Sequence, residues 1–241
     1  MRAIEIIKET VFRRTLVIGT HIAWLCLYVV LFFMRDGGVD WGLMVFICSG
    51  ILLPLPLSAG IFGDDIATGR IRILLATPTR AVELYGYRLA GLSLQGAVSL
   101  PASCLLIWGM HKFIPVGNIE KLWSCLLPAW FLYNAVAAVS VTLSVLLRRG
   151  QNAIAVALSA LGAFTFWVCF AVHPNPGPAL RAIIWAVAYL LPPAQLLGRA
   201  VERGMSLETA GWMAYALGLT VAYAAVGVVL LAKREFRAGP S

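Results

Sequence analysis

Residues 64–84 read DDIATGRIRILLATPTRAVEL and separate two long apolar runs. The stretch combines two adjacent aspartates and three arginines with an apolar stripe that Pro78 interrupts. Ionised side chains are costly to place in hydrocarbon, so this stretch cannot lie inside a lipid bilayer. An amphipathic segment of this kind lies flat at a membrane surface and presents its charged face to water. The stretch therefore predicts a surface shelf that joins two membrane-spanning helices.

The composition of the whole chain agrees with a lipid-embedded protein. Its 241 residues are 61% hydrophobic and 12% charged, and the mean hydropathy is +0.86. Soluble domains are about 45–50% apolar and about 25% charged. The net charge of +8 does not indicate nucleic-acid binding, because the basic residues are spread among loops rather than clustered on one face. We expect an all-α integral membrane protein without a separate soluble domain.

Apolar runs of about 20 residues, the length that crosses the hydrocarbon core, recur along the chain. They predict a single transmembrane domain over residues 1–241 with six spans, at 16–34, 41–62, 89–110, 122–147, 153–172 and 211–232. Segment 179–204 has an apolar part that is too short to cross, followed by Pro192 and Pro193. It predicts a re-entrant hairpin before the sixth span.

The N-terminal segment has the pattern of an amphipathic helix. Ile4, Ile7 and Val11 share one helical face, and Glu5 and Glu9 lie on another. The pattern predicts an interfacial helix at the membrane surface, although a plain extension of the first span would look similar.

The distribution of positive charge predicts the orientation. Most of the 19 Lys and Arg residues fall in segments on the same side of the predicted spans as the N-terminus. Because Lys and Arg mark the cytoplasmic side, we expect both termini and the shelf to face the cytosol, in a bacterial cytoplasmic (inner) membrane.

Local sequence signals divide the shelf into two short helical pieces. Thr77 precedes Pro78 and is therefore expected to be extended, which breaks the helix there. Asp64 and Asp65 are expected at a helix start, where a side-chain oxygen satisfies free backbone N–H groups, and Gly69 permits the turn. A push on this shelf would tilt the second and third spans together.

Residues 64–80 contain four features in order. They are an acidic pair, a small residue two positions before a glycine, an apolar run that ends in Leu-Leu-x-x-Pro, and an arginine two positions after that proline. This pattern resembles the ABC-2 family of ATP-binding-cassette permeases. Two departures are the aspartates, where the family often has Glu, and Arg70 directly after the glycine. The resemblance implies a coupling helix that docks on an ATPase subunit, with contacts from Asp64, Asp65, Gly69, Arg70, Arg72, Thr77, Pro78, Arg80 and Glu83.

The resemblance also implies a function. It predicts the transmembrane permease subunit of an ABC transporter, exporting its substrate with ATP and Mg²⁺ used by a partner ATPase. The chain contains no Gly-x-x-x-x-Gly-Lys-Ser/Thr motif, so it has no P-loop for a nucleotide; we expect no enzymatic activity and no cofactor in this chain. The expected partners are the ATPase, a second permease chain that is identical or homologous, and membrane lipid, but not nucleic acid. The alternative is a membrane scaffold or anchor subunit of an ATPase-driven envelope or motility complex that moves no solute.

Polar residues within the spans are few and mild. Asn134, Ser140 and Ser144 are candidates for lining a translocation path, although helix packing explains such residues equally well. An uncharged path would suit a lipid-like or amphipathic substrate. Pro192 and Pro193 are expected to cap the outer end of that path as an outer gate.

No catalytic residue and no metal ligand is predicted. His111 and His173 are isolated from one another in the sequence, and two isolated histidines rarely form a metal site. Together with outward-facing carboxylates they leave an interfacial membrane enzyme as a third interpretation, without a short motif that would favour it.

Overall fold

The computed structural model describes residues 2–15, 46, 50–51, 53–71, 74, 80–112, 120–147, 151–152, 154–155, 177, 191–193 and 195–233. Every regular element within these ranges is an α-helix, in agreement with the predicted all-α class. In chain order the helices are α1 (Arg2–Thr15), α2 (Pro54–Ser58), α3 (Gly63–Ala67), α4 (Ala81–His111), α5 (Glu120–Ser124), α6 (Leu126–Leu146), α7 (Gln195–Arg203) and α8 (Leu207–Lys233). The predicted span 16–34, nearly all of span 153–172 and the first part of segment 179–204 lie outside the described residues.

Three helices, α4, α6 and α8, are long and apolar enough to cross a membrane, which indicates a membrane protein. They coincide with the predicted spans 89–110, 122–147 and 211–232. However, α4 begins at Ala81 rather than at residue 89, so the short helix expected after Pro78 and the third span form one continuous helix. Its 31 residues extend about 46 Å at 1.5 Å per residue.

Helix α6 is the centre of the described bundle and packs against both α4 and α8. Of the most apolar 18-residue window in each helix, 78% is buried for α6, 44% for α4 and only 17% for α8. The buried stretch of α6 is rich in small side chains such as Ala135, Ala137 and Ala138, which allow close approach of neighbouring helices. The apolar face of α8 is left open, as expected for a helix that contacts lipid tails.

Two glycines allow tyrosine rings of neighbouring helices to pack against a helix backbone. A Cβ atom at Gly96 of α4 would lie 2.6 Å from the Tyr133 ring of α6, and one at Gly227 of α8 would overlap the Tyr85 ring of α4. Tyr85 Oη lies 2.8 Å from Thr142 Oγ1, and Thr142 Oγ1 lies 2.8 Å from the carbonyl oxygen of Tyr223. These contacts join the three long helices.

The short helices divide between the two ends of the bundle. Helices α1 and α3 lie at the end where α4 begins and α6 finishes, since Thr10 contacts Gly91 and the Phe62 N–H donates to Ser144. We call this the α1 end. Helices α5 and α7 contact one another at the opposite end, where α6 and α8 begin. We call this the α7 end.

Candidate functional site

Four charged side chains and one hydroxyl meet at the α1 end. These residues, which we call the charged cluster, are Glu9, Thr10, Asp65, Arg70 and Arg88. Arg88 Nη2 lies 2.9 Å from Asp65 Oδ2 and 3.8 Å from Glu9 Oε2. Arg88 Nη1 donates to Thr10 Oγ1 at 3.1 Å. Arg70 Nη2 lies 2.9 Å from Glu9 Oε1, and Arg70 Nη1 lies 4.0 Å from Asp65 Oδ1.

The cluster joins three separate parts of the chain. Glu9 and Thr10 lie on α1, Asp65 lies on α3, and Arg88 lies two turns into α4. The side chains of Arg88 and Asp65 are only 3% and 4% exposed, whereas those of Glu9 and Arg70 are 28% and 40% exposed. The cluster therefore has a buried ion pair at its core and a solvated ion pair at its rim.

Burial determines how much this core contributes to stability. Two carboxylates face two guanidiniums, so the formal charges balance. Removing one partner of a buried pair is strongly destabilising, by about 3–5 kcal/mol, because an uncompensated charge remains. The Arg88 Nε atom is buried without a hydrogen-bond partner, so the guanidinium is held through its two terminal nitrogens.

Glycines and one threonine bring the elements of the cluster together. A Cβ atom at Gly91 of α4 would lie 2.9 Å from Thr10 Cβ, so the glycine allows α1 to pack closely on α4. After α3, Gly69 takes a φ of 72°, a left-handed conformation that glycine adopts at little cost. This turn directs Arg70 back toward Glu9.

The loop before α3 is fixed to α6 by a buried amide. Asn152 Nδ2 donates to the carbonyl oxygens of Ser58 and Ser140 at 3.0 Å each, and Asn152 Oδ1 accepts from the Gly60 N–H at 3.0 Å. Ser58 Oγ also donates to Ser140 Oγ at 2.7 Å. Residues 58–62 are thus held against α6 next to the charged cluster.

These bonds locate two of the candidate path-lining residues. Ser140 and Ser144 are fully buried, and each bonds to the segment containing α2 and the loop after it: Ser140 to Ser58 and Ser144 to the Phe62 N–H. Both serines join elements, which is the packing role that the sequence also allowed. Whether they line a path stays a prediction.

The third candidate, Asn134, occupies a different position. It lines a cleft of about 320 Å³ between α4, α6 and α8, together with Ser93 and Trp130. Trp130 Nε1 donates to the Ser93 carbonyl oxygen at 3.1 Å, which fixes the indole in the wall of the cleft.

The residues expected to contact an ATPase divide into buried and exposed groups. Asp65 is buried in the charged cluster and Asp64 is half-buried; both lie inside α3, whose N-cap position is Phe62 without a side-chain hydrogen bond. The aspartates thus lie at a helix start, as expected, but Phe62 holds the N-cap position, and the Asp65 carboxylate pairs with Arg88. Arg72, Thr77 and Pro78 lie outside the described residues.

Arg80 and Glu83 are exposed at the start of α4. Glu83 Oε2 accepts from the Arg80 backbone N–H at 3.3 Å, one half of a capping box. The Arg80 side chain is exposed and therefore accessible to a partner.

Pro192 and Pro193, the predicted outer gate, lie before α7 at the opposite end of the bundle. Pro193 is buried and its carbonyl oxygen accepts from the Leu196 N–H at 3.0 Å. The structure thus separates the predicted gate residues from the charged cluster by the length of the spanning helices.

The sequence did not reveal Glu9, Thr10, Arg88 and Asn152 as a group. One signal was present: Arg88 directly precedes a long apolar run, and an arginine at such a border needs an acidic or carbonyl partner. Within the described residues, no group of three or more His, Cys, Asp or Glu side chains is arranged to hold a metal ion.

Comparison with models of known protein families and with curated proteins finds no match for this chain. The residues and their geometry are therefore the grounds for a functional proposal.

Proposed function

We propose that this chain is the transmembrane permease subunit of an ABC transporter of the ABC-2 type. It would export a lipid-like or amphipathic substrate with ATP hydrolysed by a separate subunit. The observation that supports this best is the charged cluster, which joins α1, α3 and α4 at the α1 end. A separate motor can move a spanning helix only through a stiff connection, and a buried ion pair supplies one.

The proposed path of force follows the bonds of the described residues. An ATPase docked on Arg80, Glu83 and the adjoining loop would displace Arg70 and α3. The Asp65–Arg88 pair at 2.9 Å would pass this displacement to α4. The bonds of Asn152 to Ser58 and Ser140 would pass it to α6. Rigid elements that move together between two arrangements are the usual basis of such transitions.

The proposal includes the wider architecture expected from the sequence. In this architecture the chain has six spans and a re-entrant hairpin at 179–204. It lies in a bacterial inner membrane with both termini in the cytosol. A second permease chain, identical or homologous, would complete the path, because one chain offers one coupling shelf. The charged cluster at the α1 end would then face the cytosol with the ATPase.

The first experiment is co-purification in mild detergent with an ATP-binding-cassette ATPase encoded by an adjacent reading frame. Hydrolysis is then measured with and without this chain. We expect a stable complex whose hydrolysis changes when this chain is present. Arg80→Glu should weaken the complex about tenfold, because a reversed charge at a contact opposes docking.

A matched control is Lys112→Glu, which reverses an exposed charge directly after the last residue of α4, whereas Arg80 directly precedes the first. This variant should leave the complex intact. Equal weakening by both variants would remove Arg80 from the contact. A complex that forms but moves no lipid or amphiphile in vesicles would favour the scaffold alternative. The absence of a complex with any such ATPase would overturn both interpretations.

A further inference from the structure

The cleft between α4, α6 and α8 has the size and the lining of a ligand site. Its volume of about 320 Å³ lies at the lower end of the range for small-molecule pockets, about 300–1,000 Å³. Gly86 and Ala90 provide the space, and Trp130 and Phe131 form an aromatic wall. Such sites are mostly apolar with a few placed polar groups.

Two polar atoms in this cleft have unused hydrogen-bonding capacity. Asn134 is 8% exposed and donates through Nδ2 to the Trp130 carbonyl oxygen at 2.8 Å, which leaves its Oδ1 atom as an acceptor. Within the described part of the chain, Asn134 Oδ1 and Ser93 Oγ have no protein partner. The cleft therefore offers an acceptor and a hydroxyl to a ligand.

The depth of these atoms points to the kind of ligand. Ala90 and Ser93 follow Arg88 by two and five positions, or about 3 and 8 Å along α4. The charged cluster around Arg88 marks the polar border of the bundle, and α1 packs beside it at Gly91. With the charged cluster at the membrane border, Ser93 would lie about 8 Å inside that border, within reach of the first polar group of a lipid.

The surroundings favour an uncharged ligand that enters from the side of the bundle. Among the described residues that line the cleft, none carries a charge. The faces of α4 and α8 beside it expose Leu94 and Val221 at 52% and 61%, so the cleft opens at the apolar outer surface of the bundle, where membrane lipid would have access.

We propose that this cleft binds one uncharged membrane lipid with a free hydroxyl, of the diacylglycerol type. The lipid hydroxyl donates to Asn134 Oδ1, and an acyl chain packs against the ring of Trp130. This proposal does not depend on the transport proposal, because it requires only a membrane-embedded bundle.

The test uses photo-crosslinking of the intact chain in phosphatidylcholine vesicles. The probe is a diacylglycerol with a diazirine in one acyl chain and a free hydroxyl; its partner is the same molecule with the hydroxyl acetylated. Crosslinked residues are mapped by mass spectrometry. We expect the free-hydroxyl probe to label the cleft about fivefold more than the acetylated probe, the effect of one net hydrogen bond. Unlabelled dioleoylglycerol should compete.

Two variants sharpen this test. Asn134→Leu keeps the volume and removes the acceptor, and should abolish the preference between the two probes. Ser103→Ala removes a buried hydroxyl of α4 that does not line the cleft, and should preserve it. Equal labelling by both probes in the unmodified chain would overturn the proposal. It would show that the cleft makes only ordinary contact with membrane lipid. Labelling that avoids the cleft altogether would overturn it as well.

Discussion

The two ends of the bundle use the same residue types in different ways. At the α1 end, Asp65 and Arg88 form a pair with side chains 4% and 3% exposed. At the α7 end, Arg199 lies 3.2 Å from Glu208, and the two side chains are 41% and 35% exposed. Arg203 also pairs with Glu208. The Asp65–Arg88 pair at the first end is buried, whereas the pairs at the second end are solvated.

The two sets of pairs also differ in what they connect. Asp65 and Arg88 are separated by 23 positions, and Thr10 and Arg88 by 78. Arg203 and Glu208 are separated by only five. Solvated pairs between near neighbours contribute little to stability, whereas a buried pair across distant segments makes each segment depend on the others. The comparison predicts a cooperative α1 end and a loosely held α7 end.

The largest effect should come from breaking the buried pair. Asp65→Asn leaves the Arg88 guanidinium buried without its main carboxylate partner, which should lower the free energy of unfolding by about 3–5 kcal/mol. Equilibrium unfolding in mixed detergent micelles, followed by circular dichroism, measures this loss. In the double variant Asp65→Asn/Arg88→Gln, the loss should be smaller than the sum of the two single losses, because the two sites are coupled. Additive losses would contradict a direct pair.

A moderate effect should come from the close packing near this end. Gly227→Ala places a Cβ atom against the Tyr85 ring, one turn from Arg88. Overpacking of this kind costs about 1–3 kcal/mol, and it should appear as a lower unfolding temperature. The matched variant is Gly218→Ala on the same helix, where nothing lies within 4 Å of the new atom. It should be neutral or slightly stabilising, because alanine is the better helix former. An equal loss in both variants would contradict packing against Tyr85 as the cause.

The smallest effect should come from the α7 end. Glu208→Gln removes the shared carboxylate of Arg199 and Arg203, and should change the free energy of unfolding by less than about 1 kcal/mol. Salt should weaken these pairs further, since solvated charges are screened at high ionic strength. The same unfolding measurement at low and high salt tests this. A loss comparable to that of Asp65→Asn would remove the contrast between the two ends.

The sequence predicted the spanning helices because the signal for them is local. An apolar run of about 20 residues is visible in residues 89–110 and 211–232 without any knowledge of the fold. The local pattern starts the third span at residue 89, after a separate short helix, because Arg88 counts among the cytoplasmic charges; in the structure the two form one helix, α4. A charge at position 88 is compatible with a continuous spanning helix when Asp65 neutralises it. The local sequence pattern does not indicate that pairing.

The charged cluster could not be predicted because it depends on three-dimensional proximity. The acidic pair at 64–65 was recognised from its local pattern as a surface contact, yet the two carboxylates have different surroundings: Asp65 is buried and Asp64 half-buried. Likewise, Ser140 and Asn152 are ordinary polar residues in sequence, and only the fold brings them into contact with Ser58. Adjacent residues on a short helix face different directions, which composition cannot resolve.

The charged cluster also has a consequence for biosynthesis. Helix α1 leaves the ribosome well before Arg70 and Arg88 are made, so the contacts of Glu9 and Thr10 with these two arginines form only later. Asn152, which secures the neighbouring loop, is made later still. Until then the amphipathic α1 is suited to rest on the membrane surface, and the α1 end closes only when distant parts of the nascent chain have been inserted. A substitution in the cluster would therefore act during insertion, and would reduce the yield of assembled protein in the membrane as well as its final stability.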